Sequence, residues 1–224
     1  MKPCWNVLTT DTQTLYNRLS RLPIISEFYL AGGTGLAIQI GHRFSVDLDF
    51  FGNSPQAVGI EHRKTILAEL KDDPNLLIFW DKDGTFVANW KSVGVSFFRL
   101  DPHPLILEPE IIGGIRVAQI EEIGAMKLGA ILSRGTKKDY IDLYFILKQQ
   151  SIEKLFEVSA RKYPYNSAFP TFAIRALAFF EDAETKPMPE MIHPVKWEQV
   201  KSSLEKVALD IGRKKLQIDK LWEK

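Results

Sequence analysis

Two aspartates one residue apart, Asp47 and Asp49, stand in the strand-like run "SVDLDFF". Side chains alternate along a strand, so the two carboxylates face one way while Val46, Leu48 and Phe50 face the other and pack on a core. Strand geometry separates the two aspartate Cα atoms by roughly 7 Å. Like charges that close repel unless a cation lies between them, and a hard divalent ion with oxygen ligands, Mg²⁺ or Mn²⁺, meets that need. Upstream, Gly32 and Gly33 end a short strand and Thr34 opens a helix. A helix start exposes backbone N–H groups that suit a phosphate, so Gly33 and Thr34 are candidate phosphate ligands. The non-catalytic readings are a plain tight turn, and aspartates that face solvent or pair with His42 and Arg43.

A second cluster lies in "QIEEIGAMKLGAILSRGTKKDYIDLYFIL". Read as a helix, it places Ile120, Ile123, Lys127, Ile131 and Arg134 on one stripe. A lysine there either snorkels to water or borders a cleft and meets phosphate, together with Arg134. Leucine at 127 would serve an apolar stripe better, and Lys127→Met is expected to keep or slightly raise the melting temperature. Gly135 can stop this helix, and Thr136 with Asp139 forms a capping box for the next. The cap leaves Asp142 unexplained: it sits among residues that must be largely buried, four after Lys138, where a helical ion pair is possible.

The elements that must position these residues alternate in the first half. A helix is expected over 10–20, capped by Thr10 or Asp11, then a strand in "EFYLAG", a helix in "TGLAIQIGH" and a strand in "SVDLDFF". A helix over 57–71 precedes three strands, "LLIFW", "TFVANW" and "VGVSFF", joined by hairpin connections at 82–84 and 91–94. From 119 the periodicity is helical, with helices over 119–134, 136–149, 152–162, 169–181 and most of 195–222. Prolines 187, 189 and 194 interrupt it with an extended loop. The expected architecture is α+β: an α/β domain over 1–118 built on a mixed sheet with helices, then a helical domain over 119–224.

Twenty-nine basic and 28 acidic side chains nearly cancel, so a nucleic acid or anionic membrane would have to be held by a local patch. "RKY" at 161–163 and "GRKK" at 212–215 are the obvious basic clusters. The single cysteine excludes an intramolecular disulfide framework, the four histidines show no paired spacing for zinc, and no apolar run is long enough to span a bilayer. These features fit a cytoplasmic protein.

The stretch "GGTGLAIQIGHRFSVDLDFF" resembles the first motif of the DNA polymerase β-like nucleotidyltransferase superfamily: a Gly-Ser or Gly-Thr turn, a helix, and a strand with Asp-x-Asp. Its His-Arg-x-Ser-x-Asp-x-Asp-Phe-Phe ending is similar to the AbiEii/AbiGii toxin family, whose second signature resembles Lys127, Arg134, Lys138, Asp139, Asp142, Leu143 and Tyr144. The resemblance implies a nucleotidyltransferase-like mixed sheet, and Asp47 and Asp49 as catalytic metal ligands. It implies that Gly33, Thr34, Lys127, Arg134, Lys138 and Asp139 bind the nucleotide, and that Asp142, with Asp139, orients the nucleophile or Lys127. It further implies a nucleotide triphosphate substrate, an RNA acceptor, tRNA in particular, and a toxin's role opposed by a cognate antitoxin protein. Superfamily members usually supply a third carboxylate from a later strand, where Ser96 stands here. That departure sustains an alternative, a degenerate fold that binds nucleotide or a partner protein without transfer. A phosphohydrolase with an aspartate nucleophile is disfavoured, because Phe50 and Phe51 occupy the place of its small residue and glycine turn.

Overall fold

The computed structural model describes residues 2–52, 54–100 and 103–222, with the side chains of 215–222 left aside. The chain divides into two compact units, Met1–Ile123 and Gly124–Lys224.

The first unit holds a seven-stranded mixed sheet among the described residues: β1 (Tyr29–Leu30), β2 (Leu48–Gly52), β3 (Leu77–Lys82), β4 (Thr85–Trp90), β5 (Val93–Arg99), β6 (Glu110–Ile112) and β7 (Ile115–Val117). The strand order is β3-β4-β5-β2-β1-β7-β6. β2 runs parallel to β5 and antiparallel to β1, while β1 runs parallel to β7. Among the described residues three α-helices lie wholly in this unit: α1 (Thr10–Leu19), α2 (Gly32–Ile40) and α3 (Ile60–Leu70). The α1 cap is Thr9, whose side chain accepts from the Thr12 backbone N–H, one residue before the first of the expected caps, Thr10 and Asp11.

One face of the sheet is the core. Leu48 and Phe50 of β2, Val95 and Phe97 of β5, and Phe86, Ala88 and Trp90 of β4 are all buried there. Phe97 stacks on Phe50 at 4.7 Å between ring centroids and meets Phe28 edge-on at 5.2 Å. The opposite face of β2, β4 and β5 is half-buried, and it carries Asp49. Val46 departs from the expected alternation: it is exposed because β2 begins only at Leu48, and its carbonyl accepts from the Thr12 hydroxyl at 3.3 Å. The β6–β7 hairpin was not expected. Its turn is Gly113-Gly114, both at positive φ, which is a recognised hairpin signal flanked here by strands of only three residues.

The second unit is helical. α4 (Ile120–Ser133) begins in the first unit, and α5 (Lys137–Ile146), α6 (Ile152–Lys162), α7 (Phe169–Ala176), α8 (Glu181–Glu184) and α9 (Trp197–Trp222) follow. The single helix expected over 169–181 is broken after Ala176. At that break the Tyr140 hydroxyl shares its one proton between the carbonyls of Ala176 and Phe179, of which Ala176 also accepts from the Phe179 N–H.

These packing differences predict contrasting substitutions. Phe97→Ala should cost about 3–5 kcal/mol, the scale for emptying an aromatic site in a packed core. Phe79→Ala, on an exposed edge strand, should stay within about 0.5 kcal/mol of the parent. Urea denaturation of the two variants checks both.

Candidate active site

The glycine turn and the aspartate strand are tied together by one side chain. Thr34, in the first turn of α2, is buried. Its hydroxyl donates to the Asp47 carbonyl and hydrogen-bonds with Ser45 Oγ at 2.7 Å. The turn is fixed from the strand side as well, because the Ala31 N–H donates to the Asp49 carbonyl at 3.0 Å.

Both glycines lie against the ends of side chains, and Gly32 also takes a positive φ. An ideal Cβ at Gly32, whose φ is +63°, would fall 2.7 Å from Asp49 Oδ2, and one at Gly33 would fall 2.1 Å from Arg43 Nη2. The Asp49 carboxylate and the Arg43 guanidinium therefore both lie against the start of α2. Arg43 is buried and donates from Nη1 to the Phe44 carbonyl at 2.9 Å. Sequence reasoning treated it only as a possible ion-pair partner of the aspartates. The available signal was its place between the turn and the Asp-x-Asp strand, since an arginine there can reach a phosphate bidentately.

Asp47, exposed just before β2, lies over the neighbouring strand: a Cβ at Gly94 would meet Asp47 Oδ1 at 2.5 Å. Ser96 pairs in register with Asp49, so the place beside Asp49 on β5 holds a hydroxyl rather than a carboxylate. No group of three or more His, Cys, Asp or Glu side chains suited to a metal occurs among the described residues. Two carboxylates still fit Mg²⁺ or Mn²⁺, because Mg²⁺ is commonly held by one or two protein carboxylates with substrate phosphates and water completing its shell.

In the second unit Lys127, Arg134, Asp139 and Asp142 converge, while Lys138 does not join them. Lys127 does not snorkel; it is 5 % exposed, and its Nζ lies 2.9 Å from Asp139 Oδ1 and 2.7 Å from Asp142 Oδ2. Both carboxylates are fully buried. Asp139 additionally takes hydrogen bonds from Arg134 Nε at 3.1 Å, from the Thr136 hydroxyl at 2.6 Å and from the Thr136 backbone N–H at 3.3 Å. The cap and the ion cluster thus share one carboxylate. Lys138 is exposed while Asp142 is fully buried. Its neighbour Lys137 is the buried one, over the Trp197 ring at 5.1 Å.

Burial works against the Lys127 ammonium, but the charges and hydrogen bonds of Asp142 and Asp139 outweigh it and raise its pKa. For Asp139 burial works against the carboxylate, while Lys127, Arg134 and Thr136 hold its pKa below the ordinary value. The raised lysine contributes stability that is complete below its unfolded pKa and lost as pH rises through the folded one. The lowered aspartate contributes above its unfolded pKa and loses that contribution as pH falls through the folded one.

This architecture defines a nucleotidyltransferase-like fold, and solved structures agree. The structure is similar to the nucleotidyltransferase toxin MenT4 from Mycobacterium tuberculosis H37Rv, with a TM-score of 0.57 at 14 % identity, covering 88 % of this chain and 81 % of that one. It is also similar to the antibiotic-resistance factor ANT(2'')-Ia, with a TM-score of 0.53 at 15 % identity, covering 72 % and 96 %. An uncharacterized protein of Aquifex aeolicus (strain VF5) is 32 % identical over 203 residues, 86 % of this chain and 92 % of that protein.

Residues 13–220 match the family described as "Nucleotidyl transferase AbiEii toxin, Type IV TA system", and the chain belongs to that family. It is a nucleotidyltransferase.

The ion cluster overturns the expectation for Lys127→Met. Removing the ammonium takes away the cation that two buried carboxylates share, with Arg134 still beside Asp139, so the variant should lose about 3–5 kcal/mol rather than keep its stability. Lys127→Met combined with Asp139→Asn and Asp142→Asn should recover part of that loss. Denaturant melts of the single and triple variants at neutral pH decide it.

Proposed function

We propose that the chain is a metal-dependent nucleotidyltransferase that moves a nucleoside monophosphate from a nucleotide triphosphate to an RNA acceptor, tRNA in particular. Its role would be that of a toxin in a bacterial toxin–antitoxin or abortive-infection system, opposed by a cognate antitoxin protein. The observation that carries the reading is the clasp of Thr34 on the Asp47 carbonyl, which ties a helix start of the kind that suits an anion to the backbone of the Asp-x-Asp stretch.

In this reading the Gly33 and Thr34 backbone N–H groups and the Arg43 guanidinium receive the triphosphate, since the Thr34 hydroxyl is already engaged by the protein. Asp47 and Asp49 would hold the divalent ion. That ion, when bound, neutralises phosphate charge and polarises the phosphoryl oxygens. An acceptor hydroxyl attacks the α-phosphorus in line, the bond to the pyrophosphate oxygen breaks, and the hydroxyl proton passes to a neighbouring carboxylate or water. The protein's part is to position and neutralise, not to form a covalent intermediate.

Of the two roles the family resemblance allows Asp142, its burial against Lys127 favours the second: Asp142, with Asp139, keeps Lys127 charged and oriented. An ammonium has three N–H donors, of which two serve these carboxylates. Lys127, Arg134 and Lys138 are the nucleotide-binding cations that the family resemblance implies for the second motif.

Asp47→Ala and Asp49→Ala should each lower transfer by two orders of magnitude or more while leaving the circular dichroism spectrum unchanged. The check is incubation of pure protein with each radiolabelled nucleotide triphosphate, total RNA and Mg²⁺. Full activity in both variants would refute the metal site. Nucleotide binding without transfer to any acceptor would favour the degenerate alternative, which Ser96 beside Asp49 keeps in view.

A further inference from the structure

The half-buried sheet face that carries Asp49 continues to the edge of the sheet, and a β-bulge sets what it presents there. Ile78 of β3 pairs with Ala88, but Trp80 pairs with Val87, so Phe79 is an extra residue and the register shifts by one. Ala88 lies on the core face. Without the bulge Trp80 would follow Ile78 to that side. With it, Trp80 joins the face of Val87, Ser96 and Asp49, which lie opposite one another in successive strands. Bulges that re-aim a side chain are common beside functional sites.

Trp80 is 52 % exposed, and the Lys82 ammonium sits 4.6 Å from its ring centroid. Three strand spacings separate Trp80 from Asp49, about 14 Å. The side chains between them, Val87 and Ser96, are small and uncharged. The adjoining row runs from Lys82 through Thr85 to Phe98 and Phe51, a half-buried aromatic pair with ring centroids 5.8 Å apart. An exposed ring with a cation beside it, followed by a shallow lane and a half-buried aromatic pair, is the chemistry of a stacking platform for single-stranded nucleic acid.

We infer that this face is the track on which the single-stranded end of the RNA acceptor lies, with its terminal hydroxyl at Asp49 and a base several nucleotides back stacked on Trp80. The inference rests on the RNA-acceptor reading above. Net charge is close to zero, so a local track of this kind, rather than a global field, has to hold the RNA. Lys82 supplies the phosphate contact, and Trp80 supplies sequence-tolerant stacking.

The test uses the full chain and a short single-stranded RNA labelled at its 5′ end, followed by fluorescence anisotropy at several salt concentrations. Trp80→Ala should weaken binding about tenfold or more, and Trp80→Phe should keep most of it. Lys82→Ala should reduce the salt slope by roughly 0.7, one phosphate's share for a single strand. Nucleotide triphosphate affinity and melting temperature should not change in any of the three, since these side chains stand apart from the glycine turn and outside the core. Transfer assays separate the two ways of failing. If the parent labels RNA and Trp80→Ala binds and labels it equally well, the track is refuted and the RNA reading survives. If the parent neither binds nor labels RNA but labels a protein or small molecule, both are refuted. If sedimentation shows a dimer that Trp80→Ala dissolves, with RNA binding intact, the face belongs to a second copy and the track is refuted.

Discussion

A single hydroxyl group organises the first unit's site. Thr34 sits on the first turn of α2 and reaches the carbonyl of Asp47, so the helix start cannot shift without moving the segment that leads from Asp47 into β2 and Asp49. The buried hydroxyl has Ser45 as a second partner, which leaves the pair of side chains satisfied inside the core rather than competing for solvent. The glycines follow from this constraint. With α2 held so close to β2, the Asp49 carboxylate and the Arg43 guanidinium occupy the space that Cβ atoms at Gly32 and Gly33 would need. A bare backbone turn, the Arg43 guanidinium and the Asp49 carboxylate thereby lie side by side, while the Asp47 carboxylate lies over Gly94 of β5.

The second unit solves a different problem. Lys127, Asp139 and Asp142 place three ionisable groups where an apolar core would be cheaper, and buried ion clusters of this kind seldom exceed the stability of a hydrophobic replacement. Asp139 offsets some of that cost by also serving as the partner of the Thr136 cap, so α5 starts where the cluster needs it to start. The cluster holds a lysine charged and immobile despite burial.

Much of this was legible in the sequence because the chemistry sits on regular elements. Period-two alternation in "SVDLDFF" gave the shared side of Leu48 and Phe50 correctly, and it erred at Val46 because a strand's first residue is a hydrogen-bonding fact that alternation does not encode. The 3.6-residue period placed Lys127 on the stripe with Ile120, Ile123 and Ile131, all of them buried. The period could not reveal that Asp139 and Asp142 turn toward Lys127, since that depends on how α5 packs on α4. The Thr136–Asp139 cap was readable, whereas its second use against Lys127 and Arg134 was not. The Phe79 bulge was invisible as well: it exists only as a mismatch between β3 and its partner, and "LLIFW" alone carries no register.

The claim that the helix start and the aspartate strand act as one magnesium–triphosphate site is tested most directly at Thr34. Isothermal titration of a nucleotide triphosphate into the parent, Thr34→Ser and Thr34→Val, with and without Mg²⁺, reads the clasp itself, and thermal melts confirm that each variant is folded. Binding should require Mg²⁺, persist in the serine variant, and weaken about tenfold or more when valine removes the hydroxyl and leaves the Asp47 carbonyl unclasped. A folded valine variant that binds like the parent, or parent binding indifferent to Mg²⁺, would contradict the account.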